Sequence, residues 1–278
     1  MIKVNDKQIT PTYFPDGTPL LRVDKAIYTQ MDDVIEQNKN NIVTITWKYD
    51  NDAEFLQLNF IVNHLRTRGI QNINLYMPYI PNARFDRVKN DDEVFTLKYF
   101  ANLINDMQFS NVIVLDPHSY VSEALINNLH VLEPTAYVEK VLEEIPDHDN
   151  LLLYFPDEGA MKRYSGIANR LHLPFAFGIK NRDWRNGNII GTTVAGLTCD
   201  PTGKQILMID DICSKGGTFY YNAKALKELN VGDIYLYISH CENAIMQGDL
   251  IHSDLVKHIF TTDSIYRENN PLITVLPC

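Results

Sequence analysis

Hydrophobic positions along this chain switch between two patterns. Ile42–Trp47 and Ile73–Met77 read as strands. Asn111–Leu115 (NVIVL), Leu151–Phe155 (LLLYF) and Gln205–Ile209 (QILMI) are short, nearly unbroken apolar runs of the kind buried inside a parallel sheet. Between them lie stretches with helical spacing. Ala53–Arg68 repeats Phe55, Leu58, Ile61, Val62 and Leu65 and stops at Gly69, and Val94–Met107 predicts a further helix. Each strand is followed by a helix-compatible stretch, so the pattern predicts an α/β fold, a mostly parallel sheet flanked by helices on both faces. Pro78 and Pro81 break the chain after the second strand, and Asn181–Asn188 (NRDWRNGN), charged and glycine-containing, reads as a mobile loop.

Composition narrows the class. A length of 278 residues suits about two domains of roughly 150 residues each. Hydrophobic residues at 45% and charged residues at 22% exclude a disordered chain. A net charge of -10 argues against a nucleic-acid or anionic-membrane binder that works by bulk charge. No apolar run approaches the roughly 18 residues that a membrane span needs, and Met1–Asp6 has no signal-peptide core. Cys199, Cys213, Cys241 and Cys278 form no C-x-x-C pair, so reduced thiols and a cytoplasmic location are expected.

Candidate chemistry gathers where the buried strands stop. In parallel α/β sheets, ligands bind beyond the carboxyl ends of the strands. Three apolar runs lead into acids there: Asp116, Asp157 and the pair Asp210-Asp211. One such Asp is commonly a helix cap; three suggest a rim that binds metal or hydroxyls. The strongest signal is Ile206–Thr218 (ILMIDDICSKGGT). Ser214, Lys215, Gly216, Gly217 and Thr218 can aim backbone N–H groups and hydroxyls at a phosphate, and the helix that follows adds the positive end of its dipole. The two carboxylates ahead of that loop suit a vicinal diol or a sugar-bound cation. A phosphate on one side and a diol on the other describe ribose 5-phosphate.

The same stretch resembles the phosphoribosyl-binding loop of type I phosphoribosyltransferases and of ribose-phosphate diphosphokinases, the PRPP synthetases. Other segments favour the synthetases. Pro78–Arg87 (PYIPNARFDR) is similar to their P-Y-x-x-Y-A-R-Q-D-R. Leu115–Ser119 resembles D-L-H-A, Phe155–Ala160 resembles S-P-D-x-G-G, Lys180–Arg182 resembles K-x-R, and Thr261–Ile265 resembles V-T-D-T-I. They occur in the family's order over about residues 14 to 266. The resemblance implies two phosphoribosyltransferase-like domains, 1–134 and 135–266, with 267–278 returning to the first. It implies transfer of the β,γ-diphosphoryl group of ATP to the anomeric hydroxyl of ribose 5-phosphate, giving PRPP and AMP. It assigns Lys180 and Arg182 to catalysis and Arg84, Asp86, His118 and, more faintly, Phe14 and Asp16 to ATP. His118 and Asp157 would hold Mg²⁺, while Asp210, Asp211 and Ser214–Thr218 would take the ribose phosphate.

Departures open alternatives. Where the family has a carboxylate and a threonine in the phosphate loop, this chain has Ser214 and Lys215. That change favours a more anionic acceptor, and ADP-ribose, in NAD salvage, is the second candidate. An inactive synthetase-associated subunit is a third; the presence of Lys180, Arg182, Asp210, Asp211 and His118 counts against it. A phosphoribosyltransferase that consumes PRPP leaves the Arg84 and His118 segments unexplained. Ser239–Met246 (SHCENAIM) lacks the family's S-G-P-A element, which implies an oligomer smaller than a hexamer, a dimer being the expectation.

Overall fold

The computed structural model describes residues 1–27, 42–182, 185 and 189–278. The chain divides into two compact units, Met1–Leu132 and Glu133–Cys278.

The first unit holds strands β1 (Ile2–Val4), β2 (Lys7–Ile9), β3 (Thr12–Tyr13), β4 (Pro19–Leu20), β5 (Ile42–Trp47), β6 (Asn72–Tyr76), β7 (Asn111–Leu115) and β8 (Leu129–Leu132). Its main sheet has the order β2-β1-β5-β6-β7-β8. β5 to β8 pair in parallel, and β1 and β2 add an antiparallel edge that the apolar pattern does not foretell. Helices α1 (Ala53–Thr67), α2 (Thr96–Asp106) and α3 (Tyr120–Leu125) connect the parallel strands. α1 buries Leu58, Ile61, Val62 and Leu65, and α2 buries Leu97, Phe100, Ala101 and Ile104. Both stripes follow the helical period and pack onto the strand residues Val43, Ile45, Ile73, Leu75, Val112 and Val114.

The second unit continues with α4 (Thr135–Glu144), β9 (Leu151–Phe155), α5 (Glu158–Leu171), β10 (Phe175–Arg182), β11 (Ile189–Ala195), β12 (Gln205–Cys213), α6 (Gly217–Glu228), β13 (Ile234–Cys241), β14 (His258–Thr262) and β15 (Ile273–Leu276). Its sheet has the order β11-β10-β9-β12-β13-β14-β15, parallel except for β11. Every residue of β9 and of β13 is buried, as expected of strands covered on both faces. β9 sends Leu152 and Tyr154 to one core with Phe219, Ala223 and Leu226 of α6. It sends Leu151, Leu153 and Phe155 to the other with Val138 and Val141 of α4 and Ala160, Tyr164 and Ile167 of α5.

Three expectations need correction. The chain end does not return to the first unit, because Ile273–Leu276 pairs in parallel with β14 and extends the second unit's own sheet. The apolar run Gln205–Ile209 does not stop at the acids. β12 runs on to Cys213, with Asp210 opposite Ile238 and Cys213 opposite Cys241, because β13 is long enough to pair the backbone that far. The loop expected at Asn181–Asn188 starts later, since Asn181 and Arg182 belong to β10 and pair with β11. Residues 183, 184 and 186–188, and the Arg182 side chain, lie outside the described residues.

Candidate active site

Parallel pairing brings the motif segments of each unit to one sheet edge. In the first unit β6 and β7 are neighbours, so the turns after them, carrying Arg84 and His118, share the carboxyl edge. Pro78 O accepts from the Leu115 N–H at 3.0 Å and ties those turns together. Arg84 is exposed, and Asp86 lies 3.7 Å from Arg87 Nε. Asp116 is buried, with φ at +42°. Such a backbone is sparsely populated by residues other than glycine; here it turns the chain sharply from β7 into Pro117 and the partly buried His118. Phe14 and Asp16 sit at the tip of the β3–β4 hairpin. Asp16 Oδ1 accepts from the N–H and hydroxyl of Thr18 at 3.0 and 2.7 Å, a turn role, while Phe14 stays exposed.

In the second unit β9 lies between β10 and β12, so Asp157, just past the end of β9, is flanked by the strands that carry Lys180 and Asp210. Asp157 caps α5, its Oδ1 accepting from the Ala160 N–H at 2.9 Å. Lys180 Nζ donates to Asp157 Oδ2 at 2.6 Å. Burial pushes the Asp157 carboxyl up; the Lys180 and Ala160 hydrogen bonds and the lysine charge outweigh it, so the group titrates below its usual range.

The twin acids are unlike each other. Strand alternation sends them to different faces. Asp211 is buried and meets Arg163 of α5, Nη1 to Oδ1 at 3.0 Å. Asp210 accepts from the Asp211 N–H at 3.0 Å. Its carboxyl is pushed well above the ordinary range, first by desolvation and then by the negative charges of Asp211 and Asp157. Taken as a whole residue Asp210 is only partly buried, whereas Asp211 is buried and held by Arg163.

The loop after β12 has the form of a cradle. Gly216, with φ at +79°, precedes α6, and a Cβ there would press within 2.9 Å of Leu250. A Cβ at Gly248 would strike the Lys215 carbonyl, so the loop is backed by protein. A Cβ at Gly217 would meet nothing within 4 Å, which leaves the space over the first N–H groups of α6 open. Lys215 is exposed and Ser214 and Thr218 are partly buried. Thr261–Ile265 has a different place. Thr262 Oγ1 donates to Ser239 O at 2.6 Å and His240 Nδ1 lies 2.8 Å from Ser264 Oγ, a buried lock between the ends of β13 and β14.

Among the described residues no group of three His, Cys, Asp or Glu side chains forms a ready-made metal cage. The donor set nonetheless suits Mg²⁺, which takes one or two protein ligands and completes its shell with water and phosphate oxygens. Asp157 and Asp210 repel each other, and a cation would relieve that repulsion; a ligand role for Asp157 requires that Lys180 let go of it.

Motif reading passed over two residues. Arg163 sits on an ordinary amphipathic helix, and nothing in the sequence separates it from a solvated charge. Asn222 had a signal: it is the polar member of the buried stripe Phe219, Asn222, Ala223, Leu226.

Known proteins resemble this chain in fold and in sequence. The structure matches the crystal structure of phosphoribosylpyrophosphate synthetase from Mycobacterium smegmatis with a TM-score of 0.75 at 17% identity, over 97% of this chain and 86% of that one. The fold is therefore the two-unit α/β architecture of phosphoribosyltransferase type. By sequence, the chain is 23% identical over 276 residues to the ribose-phosphate pyrophosphokinase of Saccharolobus solfataricus, covering 99% of this chain and 89% of the relative. It is 27% identical over 257 residues to that of Bacillus subtilis, covering 91% and 76%. No family model matches. The kinship inferred from the motifs thus extends along nearly the whole chain: its relatives are ribose-phosphate pyrophosphokinases.

Proposed function

We propose that this protein is an ATP-dependent diphosphotransferase that converts ribose 5-phosphate to its 1-diphosphate and AMP. The observation that carries the reading is the carboxyl edge of the second unit's sheet. There the acid pair of β12, with the open phosphate cradle that follows it, and the lysine of β10 flank the end of β9, in a chain similar over 99% of its length to a ribose-phosphate pyrophosphokinase.

The chemistry assigns each group a task. The 5-phosphate sits over Gly217 at the start of α6 and takes hydrogen bonds from Ser214 and Thr218. The diol lies against Asp210, with Asp211 held in place by Arg163. Arg84 and His118 serve the nucleotide, the arginine by pairing with phosphate or stacking on the base. Mg²⁺ would supply charge neutralisation of the polyphosphate, and Asp157, once released by Lys180, has the carboxylate suited to hold it. The anomeric oxygen forms a bond to the β-phosphorus while the bond from that phosphorus to the bridging oxygen breaks. AMP leaves with the bridging oxygen, and the hydroxyl proton is lost to solvent. Lys180, released from Asp157, faces the charge that grows on the transferred group and the leaving oxygen; Arg182 shares that task.

A second acceptor has one observation in its favour. Lys215 is exposed on the cradle and adds a positive charge suited to the diphosphate of ADP-ribose. Incubation with ATP, Mg²⁺ and either acceptor, followed by chromatography of AMP, separates the two. AMP with ribose 5-phosphate supports the reading, AMP with ADP-ribose alone transfers it to the second acceptor, and AMP with neither removes it.

A further inference from the structure

Asn222, on α6, is wholly buried, with 0% of its surface exposed. A buried amide is costly unless its polar atoms are met. Here they are met by a carbonyl one turn back on the same helix and by two groups of the segment 154–156. Nδ2 donates to Thr218 O at 2.8 Å and to Pro156 O at 3.2 Å, and Oδ1 accepts from the Tyr154 hydroxyl at 2.7 Å. The Tyr154 phenol is buried as well, and desolvation raises its pKa, so it stays a neutral donor to the amide. A third segment is held by shape. A Cβ on Gly178 would collide with Asn222 Oδ1 and come within 2.9 Å of Pro156 O. The amide therefore fills the space that a side chain at 178 would otherwise occupy.

The segments tied in this way are the ones that carry the chemistry. Pro156 precedes Asp157, Thr218 closes the phosphate cradle, and Gly178 lies two residues before Lys180. Strand alternation puts Gly178 and Lys180 on the same face of β10. An apolar side chain of similar volume would fill the space but take from Pro156 O and the Tyr154 hydroxyl the partner that Asn222 gives them. We propose that Asn222 is a positioning residue for the diphosphoryl transfer. It sets the register of the Lys180 strand and the Asp157 turn against the phosphate cradle while touching no substrate. The inference rests on the function proposed above.

Steady-state AMP release by Asn222→Ala is the first arm of the test. kcat falls about 30-fold, while KM for ATP stays within about twofold. Should that variant not fold, Asn222→Ser, which keeps a hydroxyl for Thr218 O, takes its place with the same expectation. The second arm is steric. Gly178→Ala loses activity because its methyl meets the amide, and the double variant Gly178→Ala/Asn222→Ala is about fivefold more active than Gly178→Ala alone, a coupling expected only of residues in contact. The third arm needs no turnover: hydrogen exchange in Asn222→Ala speeds up at residues 178–180 and 214–218 and stays unchanged at β14. A kcat within threefold of wild type, additive single and double variants, or exchange that rises evenly over the second unit would each overturn the proposal. If the wild-type protein releases no AMP with either acceptor, the proposed function fails, and the exchange arm still decides whether Asn222 couples the two segments.

Discussion

The two units differ in how far the charges at their carboxyl edges are buried. At the second unit's edge Lys180 holds Asp157 and Arg163 holds Asp211, and beneath them the neutral amide of Asn222 ties α6 to the turn after β9. In the first unit the corresponding turns carry an exposed Arg84 and a partly buried His118 on a long segment between β6 and α2. An edge whose donors are fixed before the ligand arrives avoids reorganising them during reaction. An edge that offers an exposed guanidinium can follow a flexible polyphosphate. That difference is what the proposed function uses when it gives the sugar and the transition state to the second unit and the nucleotide to the first.

Lys180→Ala breaks the comparison most severely. It removes the cation assigned to the developing charge, so turnover should drop by about 10³-fold or more with the circular dichroism unchanged; near-normal AMP release would take Lys180 out of the chemistry. Gly217→Ala comes next. Its methyl meets no protein atom, so the thermal midpoint should hold, while the methyl occupies the cradle and weakens sugar-phosphate binding by about 100-fold in calorimetry. Binding as tight as wild type would move the phosphate elsewhere. Arg84→Ala probes the other unit. Loss of one exposed guanidinium should raise KM for ATP by about tenfold and leave KM for the acceptor alone, and a rise for the acceptor instead would reverse the assignment of the two edges.

Asp210→Asn has the smallest effect, and it is an effect on stability. The Asp210 pKa is raised in the folded protein, chiefly by burial. A raised carboxyl favours folding fully only below its unfolded pKa of about 4, and that contribution is lost as pH climbs through the raised value. At pH 7 the variant should therefore melt a few degrees higher than wild type, with the gap closing toward pH 4. A variant less stable than wild type at pH 7 would contradict the electrostatics assigned to the acid pair.

Much of this edge was legible in the residues. Asn111–Leu115 and Leu151–Phe155 are strands with the bounds that their apolar runs suggest, because a strand covered on both faces admits no polar residue until the sheet ends. Ala53–Thr67 ends at Gly69, whose φ of +86° suits the end of a helix. The run into the acids misled for the same reason in reverse. Polarity at Asp210 looked like the end of the strand, yet backbone pairing with β13 continues to Cys213, because a ladder is made by main-chain groups whatever the side chains are. The unlike surroundings of Asp210 and Asp211 depend on Arg163, 48 positions away, and no local pattern reports such a contact. Asn222 was visible only as an oddity in an apolar stripe, and its partners lie on strands that only the fold brings together.

Phosphorus-31 NMR of ATP, Mg²⁺ and ribose 5-phosphate with the protein tests the central claim most directly. The account predicts that AMP and a sugar 1-diphosphate appear in equal amounts, with no free diphosphate. ADP, inorganic phosphate or diphosphate without the sugar product would mean that the nucleotide's middle phosphorus is not captured by the pentose, and the account would be wrong.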